Sequence, residues 1–382
     1  MKIGIPKLTR RSLFRLVLTA CGGTACQRGL GIASQERSAQ EKVLSRTLGS
    51  LRETAASKGI LFGSMVLKNG LAEDTEYADL VAQQCGIIAP GNELKWDTLR
   101  PAPDQFDFAK GDWIGRFARS HGMKFRGHTL AWEQALPTWF VSNVNLDNAK
   151  TILDSHISTV VGHYAGQVHS WDVVNEAVWI EDGRADGLKV TPWLIYLGPE
   201  YIDLAFHAAH QADPGAILVL NEDRIEPENS WSEKRRQAVL ALLTQLVKRG
   251  VPVHGLGIQS HLLAETNVAG PGFKRFLHAV EDLGLSILIT ELDVDDHLLP
   301  ADTTTRDALV AKQYYKYLSF ILRFKSVKTV LTWGLSDRST WLSKYSPRKD
   351  GLAVRPLLFD ANLRPKPAFD AVMRAFDEAP SR

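Results

Sequence analysis

Cysteine is nearly absent: among 382 residues only Cys21, Cys26 and Cys85 carry a thiol. The first two fall in an N-terminal leader, so the rest of the chain offers Cys85 no partner and no disulfide framework. Cys85 closes an apolar-periodic helix and is expected in the core rather than as a nucleophile. Long apolar runs are also missing, and no segment has the roughly 20 residues needed to span a bilayer. Nor is there an excess of cations. The formal charge of +2 falls to −3 once Lys2, Lys7, Arg10, Arg11 and Arg15 of the leader are set aside, which leaves no basic patch to argue for nucleic acid. The first strand candidate, "ILFGSMV", runs into "LKNG", not into the Gly-rich phosphate turn of an open dinucleotide-binding sheet. What remains is an ordinary soluble composition with 45% hydrophobic and 23% charged residues, and a neutral partner is expected. Tryptophan is abundant, with ten residues, and flat aromatic faces suit a ligand that must be stacked.

The opening "KLTRRSLFRLVLTACGGTAC" joins a basic front to a short stretch of Leu, Ala, Gly and Thr, the build of an export signal. Thr9 to Leu13 resemble a twin-arginine pattern, so residues 1–26 are expected to direct export to the periplasm or outside the cell. An amphipathic N-terminal helix is the alternative. A lipoprotein box ending at Cys21 ranks lower, because the apolar run from Leu16 to Ala20 is shorter than an h-region of about 7 to 15 residues. Cleavage is expected between Cys26 and Ala39, with residues 27–42 a polar linker and 43–379 a single catalytic-size domain.

From residue 43 onward, short β-branched or apolar runs alternate with helix-period segments. The strand candidates begin at 60, 86, 124, 170, 216, 254, 286 and 329. Between them lie segments such as "DTEYADLVAQQC", "DNAKTILDSHISTVVGHY", "EYIDLAFHAAHQA", "WSEKRRQAVLALLTQLVKRG" and "DALVAKQYYKYLSFILRF", whose apolar spacing is helical. Asp147 and Ser230 read as N-caps, Gly250 and Gly284 as C-terminal stops. Strands that are apolar along their length, rather than alternating, imply burial on both faces and a parallel sheet. Eight such units in about 340 residues fit a single-domain α/β (β/α)₈ TIM barrel.

In that architecture reactive groups collect at the C-terminal strand ends, where this sequence concentrates polar and aromatic side chains. Asn92, Lys95 and Trp96 follow the second strand, with Glu93 among them; His128 and Trp132 end the third. Asn175 and Glu176 end the fourth, Gln259 and His261 the sixth, Glu291 and Asp293 the seventh; Trp333 and Trp341 flank the last loop. Carboxylates closing the fourth and seventh strands face each other across a barrel mouth. Glycoside hydrolysis needs such a pair, one carboxyl to protonate the leaving oxygen and one to attack or stabilise the anomeric carbon. A metal hydrolase would instead want histidines near the first strands, and the first two contain none.

The stretches "GNELKW", "RGHTLAW", "WDVVNEA", "GLGIQSHL", "ITELDV", "LTWGLSD" and "LLFDANLRPKPAF" resemble, in order, the motifs of glycoside hydrolase family 10, mainly endo-β-1,4-xylanases on a (β/α)₈ fold. The resemblance runs from about residue 45 to 377. It implies Glu176 as general acid/base, Glu291 as nucleophile, and Asn175 on the sugar 2-hydroxyl. It also implies that His261 orients Glu291 and is itself held by Asp293. Asn92, Lys95, His128, Trp132 and Gln259 would bind sugar, with Trp333 and Trp341 as aromatic walls; Glu93, Asp172 and Trp171 would be scaffold. The implied substrate is xylan or xylo-oligosaccharide, the implied mechanism needs no metal or other cofactor, and a monomer is expected. By its chemistry the acid must keep a proton near working pH, which calls for desolvation and the negative charge of Glu291 opposite.

Three sugar-facing stretches depart from the family pattern. The Glu that usually precedes Asn92 and binds a distal xylose hydroxyl is Gly91. The His-Ser-Gln after Trp132 is Glu133, Gln134 and Ala135, and the fifth-strand Asn-Asp-Tyr-Asn is Asn221, Glu222, Asp223 and Arg224. Catalysis is therefore expected to be intact and binding of linear xylan weaker at the distal non-reducing side. A β-1,4-glucanase or aryl-cellobiosidase is the alternative within the chemistry, and a non-catalytic carbohydrate-binding barrel the alternative outside it.

Overall fold

The computed structural model describes residues 49–382; the expected signal, the linker and the domain's first few residues lie outside the described residues. Within Ser50–Arg382 the strands are β1 (Leu61–Val66), β2 (Ile87–Pro90), β3 (Lys124–Ala131), β4 (Ser170–Asn175), β5 (Ile217–Glu222), β6 (Gly255–Ile258), a three-residue β7 (His261–Leu263), β8 (Ser286–Asp295) and β9 (Val327–Thr332). Neighbours pair in parallel from β1 to β6; β6 then pairs with β8, β8 with β9, and β9 with β1. The result is the expected closed barrel of eight strands. Closure leaves none of those strands with an unpaired edge. The helices between them, including Thr75–Gln84, Ala149–His163, Glu200–Ala212, Ser230–Lys248 and Thr303–Ile321, cover the outer face and so bury both sides of the strands.

Close packing dictates some residue types directly. Gly127 lies in register with Trp171 of the next strand, and a Cβ at Gly127 would fall 2.0 Å from the indole. The bulky ring thus occupies the volume that a side chain on β3 would need.

Several details differ from the sequence reading. The cap of Ser230–Lys248 is Asn229, whose side chain accepts from Ser232 N at 2.8 Å. Asn148, not Asp147, sits at the N-cap of Ala149–His163, without a side-chain cap bond to that helix. Asx residues lie side by side with the assigned positions, and the chain enters each helix one residue away. Gly250 and Gly284 do stop their helices, at φ of 72° and 77°. The sixth strand run is two strands, broken at Ser260, whose φ is +63°. The strands are also less apolar than their pattern suggests: Arg126 and Asp172, each 1% exposed, form a buried ion pair. A buried pair is tolerated when every polar atom is satisfied; here Ser170 accepts from Arg126 at 2.7 Å and His128 Nδ1 lies 3.0 Å from Asp172.

The end of the chain returns to its start. Phe376 in the helix Pro367–Asp377 packs edge-on against Phe62 of β1 with ring centroids 5.6 Å apart. Arg382 donates its backbone N–H to the Lys58 carbonyl and its guanidinium to those of Leu322, Phe324 and Val327.

Candidate active site

An open cleft of about 1000 Å³ lies at the C-terminal ends of the strands, and every side chain expected at the site lines it. Parallel strands put all their C-terminal ends on one rim, so residues far apart in sequence converge there. β4 ends at Asn175, and Glu176 then adopts φ +56° with its N–H bound to the Asn221 carbonyl at 2.8 Å. That left-handed turn, rare for a residue with a side chain, takes the carboxylate out of the strand and into the cleft. Its Oε1 is within 3.3 Å of Gln259 Nε2 and 3.4 Å of Asn175 Nδ2.

Opposite, Glu291 near the middle of β8 is 4% exposed. Burial alone would raise its pKa. The His261 hydrogen bond, the nearby His128 and the charge on His261 outweigh that, joined by the Asn221 amide, and hold the carboxyl at about 2. His261 Nε2 lies 3.3 Å from Glu291 and Nδ1 lies 3.0 Å from Asp293. Short β7 makes this chain: it pairs with the end of β8 so that His261 is in register with Asp293. Burial opposes the imidazolium, but Asp293 and Glu291 raise its pKa well above 6.5, so both ring nitrogens donate. Asp293 is held in turn by the indole N–H of Trp341 at 2.7 Å.

The polar side chains nearer β2 and β3 form a second group. Lys95 reaches Asn92 Oδ1 at 3.3 Å and sits over the Trp132 ring at 5.1 Å. Burial lowers its pKa despite Glu291, Asp97, Glu93 and Glu176. Glu93 turns away and accepts backbone N–H groups of Lys68 and Asn92. His128 lies edge-on to Trp333 at 5.3 Å. Among the described residues no cluster of three or more His, Cys, Asp or Glu could hold a metal ion.

Sequence reasoning missed two features. Asn221 links the halves of the site: its Nδ2 donates to Asn175 Oδ1 and to Glu291 Oε1, both at 2.8 Å, while Thr290 fixes its Oδ1 at 2.7 Å. An Asn at the end of a strand motif was the available signal. The second is Lys189, whose Nζ is 3.0 Å from Glu176 Oε2 and 2.5 Å from Glu133 Oε1. It comes from an irregular loop with no motif to mark it.

The departures from the family pattern also acquire positions. A Cβ on Gly91 would meet Met65 Sδ at 2.7 Å and Leu67 Cδ2 at 3.0 Å, so side chains from β1 and just after it fill the space beside this residue. Ala135 is absent from the cleft lining, where Glu133 and Gln134 appear instead; its carbonyl accepts from Asp97 N. Asp223 lines the cleft and is 2.6 Å from the fully buried Arg235, which also reaches Glu222 at 3.2 Å.

The model of glycosyl hydrolase family 10 matches residues 50–375. A beta-1,4-xylanase of Dictyoglomus thermophilum is 34% identical over 312 residues, covering 78% of this chain and 84% of the relative. Native xylanase 10B from Thermotoga maritima aligns with a TM-score of 0.78 at 32% identity, over 86% of this chain and 98% of that one. An intracellular xylanase from Thermoanaerobacterium saccharolyticum aligns at 0.74 and 31%, over 85% and 98%.

Proposed function

The chain belongs to glycosyl hydrolase family 10, and on that premise we propose how it acts as an endo-β-1,4-xylanase that retains anomeric configuration, with Glu176 as acid/base and Glu291 as nucleophile. The observation that carries the assignment is the contrast between the two carboxylates of one cleft. Glu291, held at about 2 by His261 and Asn221, is ionised throughout the working range, as a nucleophile must be. Glu176 lies in the same cleft against a lysine and three amides, accessible to a leaving group.

In the first step Glu291 forms a bond to the anomeric carbon while the glycosidic C–O bond breaks and Glu176 gives its proton to the departing oxygen. In the second, Glu176 takes a proton from water, the water oxygen bonds the same carbon, and Glu291 is released. Asn175, fixed by Asn221 and Gln259, is positioned for the 2-hydroxyl of the sugar under attack. The test is hydrolysis of xylan, carboxymethyl-cellulose and barley glucan by the wild type, Glu176→Ala and Glu291→Ala. Xylan is expected to be cut and both variants to lose that activity. Glu176→Ala should keep turnover on aryl glycosides whose leaving group needs no proton. Preference for a glucan would favour the alternative substrate, and inactivity on every polymer would leave a binding barrel.

The distal sugar site lacks the charged contact usual in the family, since residue 91 is glycine and Met65 and Leu67 occupy the space a side chain there would enter. Binding of unsubstituted xylose there is weaker, and short or decorated xylo-oligosaccharides are accepted; product ratios from linear xylohexaose test this. A monomer is the expected state, and sedimentation checks it. The twin-arginine pattern at Thr9 to Leu13 supports export. Cell fractionation with Arg10→Lys and Arg11→Lys together should show the enzyme retained in the cytoplasm.

A further inference from the structure

We infer that Glu133 and Lys189 form a positioning pair for Glu176, in which one ammonium is shared between two carboxylates and follows the charge as Glu176 loses and regains its proton. The inference rests on Glu176 being the acid/base.

The placement is built by the backbone. After β4 the chain loops out and returns, so that Leu188 bridges to Val178 and Lys189 N–H donates to the Ala177 carbonyl at 2.8 Å. Lys189 is therefore tied beside the residue that follows Glu176. Its Nζ reaches Glu133 Oε1 at 2.5 Å and Glu176 Oε2 at 3.0 Å, and all three side chains are 15–17% exposed. Gln134 Nε2 lies 3.4 Å from the same Oε2. Burial opposes the ammonium, but Glu176 and Glu133 hold Lys189 above lysine's ordinary value, so it carries its charge through the cycle. Burial pushes Glu133 up, against the lowering effect of Lys189.

The charge balance shows what each partner does. With Glu176 protonated, Lys189 and Glu133 neutralise each other and exert little pull on the proton. When Glu176 has protonated the leaving oxygen, its new charge already faces an ammonium, which suits the base needed in the second step. A lysine without Glu133 would strip the proton too early, and two carboxylates without the lysine would hold it too long. The other charged groups around Glu176 are Lys95 after β2, Glu222 at the end of β5 with Asp223 and Arg224 after it and Arg235 behind them, and Glu291 on β8 backed by His261 and His128. Among the described residues, Lys189 is the charged group that hydrogen-bonds Glu176. The sequence has Glu133 where the family pattern usually has His, so one partner of the shared ammonium departs from that pattern.

The alkaline limb of kcat/KM reports the essential acid in the free enzyme, so the test is that limb on xylohexaose. Lys189→Met should move it to higher pH by about 1 to 3 units, Glu133→Gln should move it to lower pH, and Lys189→Arg should restore the wild-type position. Reduced activity with an unmoved limb in Lys189→Met or Glu133→Gln would overturn the inference, since a merely structural contact lowers the rate at every pH. If Lys189→Met does not fold, the downward shift of Glu133→Gln beside an unmoved limb in Lys189→Arg still decides. Glu176→Ala is the separate control: persistence of the wild-type alkaline limb in that variant would remove the acid/base reading itself.

Discussion

Glu291 illustrates what individual residues contribute. Its carboxylate is buried yet ionised because His261 supplies a hydrogen bond and a charge that burial does not cancel. In His261→Asn the burial remains and that support is lost, so the carboxyl's pKa rises. The acid limb of kcat/KM should then move up from about 2, measured on an aryl xylobioside. The same group affects stability. Its folded value lies below the ordinary 4.5, so the stabilisation is present above 4.5 and is lost as pH falls toward 2. Thermal melts across that window should slope less in His261→Asn than in the wild type. Glu176, Glu291 and His261 were legible in the sequence because each marks where an apolar run takes on polar residues, although Glu291, expected to close its strand, lies inside β8, which runs on to Asp295. Lys189 was not, because its partners are set by where a loop returns, and no period or spacing encodes that return.

Strand starts were legible to within a residue or two, whereas the helix Thr303–Ile321 begins four residues before its expected segment, and other misses also have local causes. Asn229 rather than Ser230 caps its helix because the Asn side chain is placed to accept from Ser232 N, and both residue types favour that position. Asn229→Ala should cost about 1 kcal/mol in urea unfolding, the usual worth of a side-chain cap, while Ser230→Ala should cost less. The division of the sixth strand run at Ser260 was invisible because a serine, not a glycine, takes the left-handed turn. That division matters to the site, since it frees β7 to pair His261 with Asp293. The polar pair Arg126 and Asp172 was hidden for a different reason: a period-based reading counts apolar positions and overlooks a charge neutralised by the adjacent strand.

At the scale of the molecule, eightfold alternation was enough to expect a closed barrel, but not which outer contacts lock it. One such lock joins the last helix to the first strand through Phe376 and Phe62. Phe376→Ala should cost about 3 to 5 kcal/mol in denaturant unfolding, and because β1 closes the barrel on β9, the loss should be global rather than a frayed terminus. β1 has another neighbour, β2, and there Met65 and Leu67 crowd Gly91. This makes the effect of a substitution depend on what came before it. Gly91→Glu alone meets the thioether and should lose stability without gaining affinity; Met65→Ala alone leaves a void. Made together they should recover affinity for linear xylohexaose beyond the sum of the two single effects, a double-mutant cycle that isothermal calorimetry can close. Regaining the charged contact is thus expected to take two coordinated changes, one to supply the carboxylate and one to make room for it.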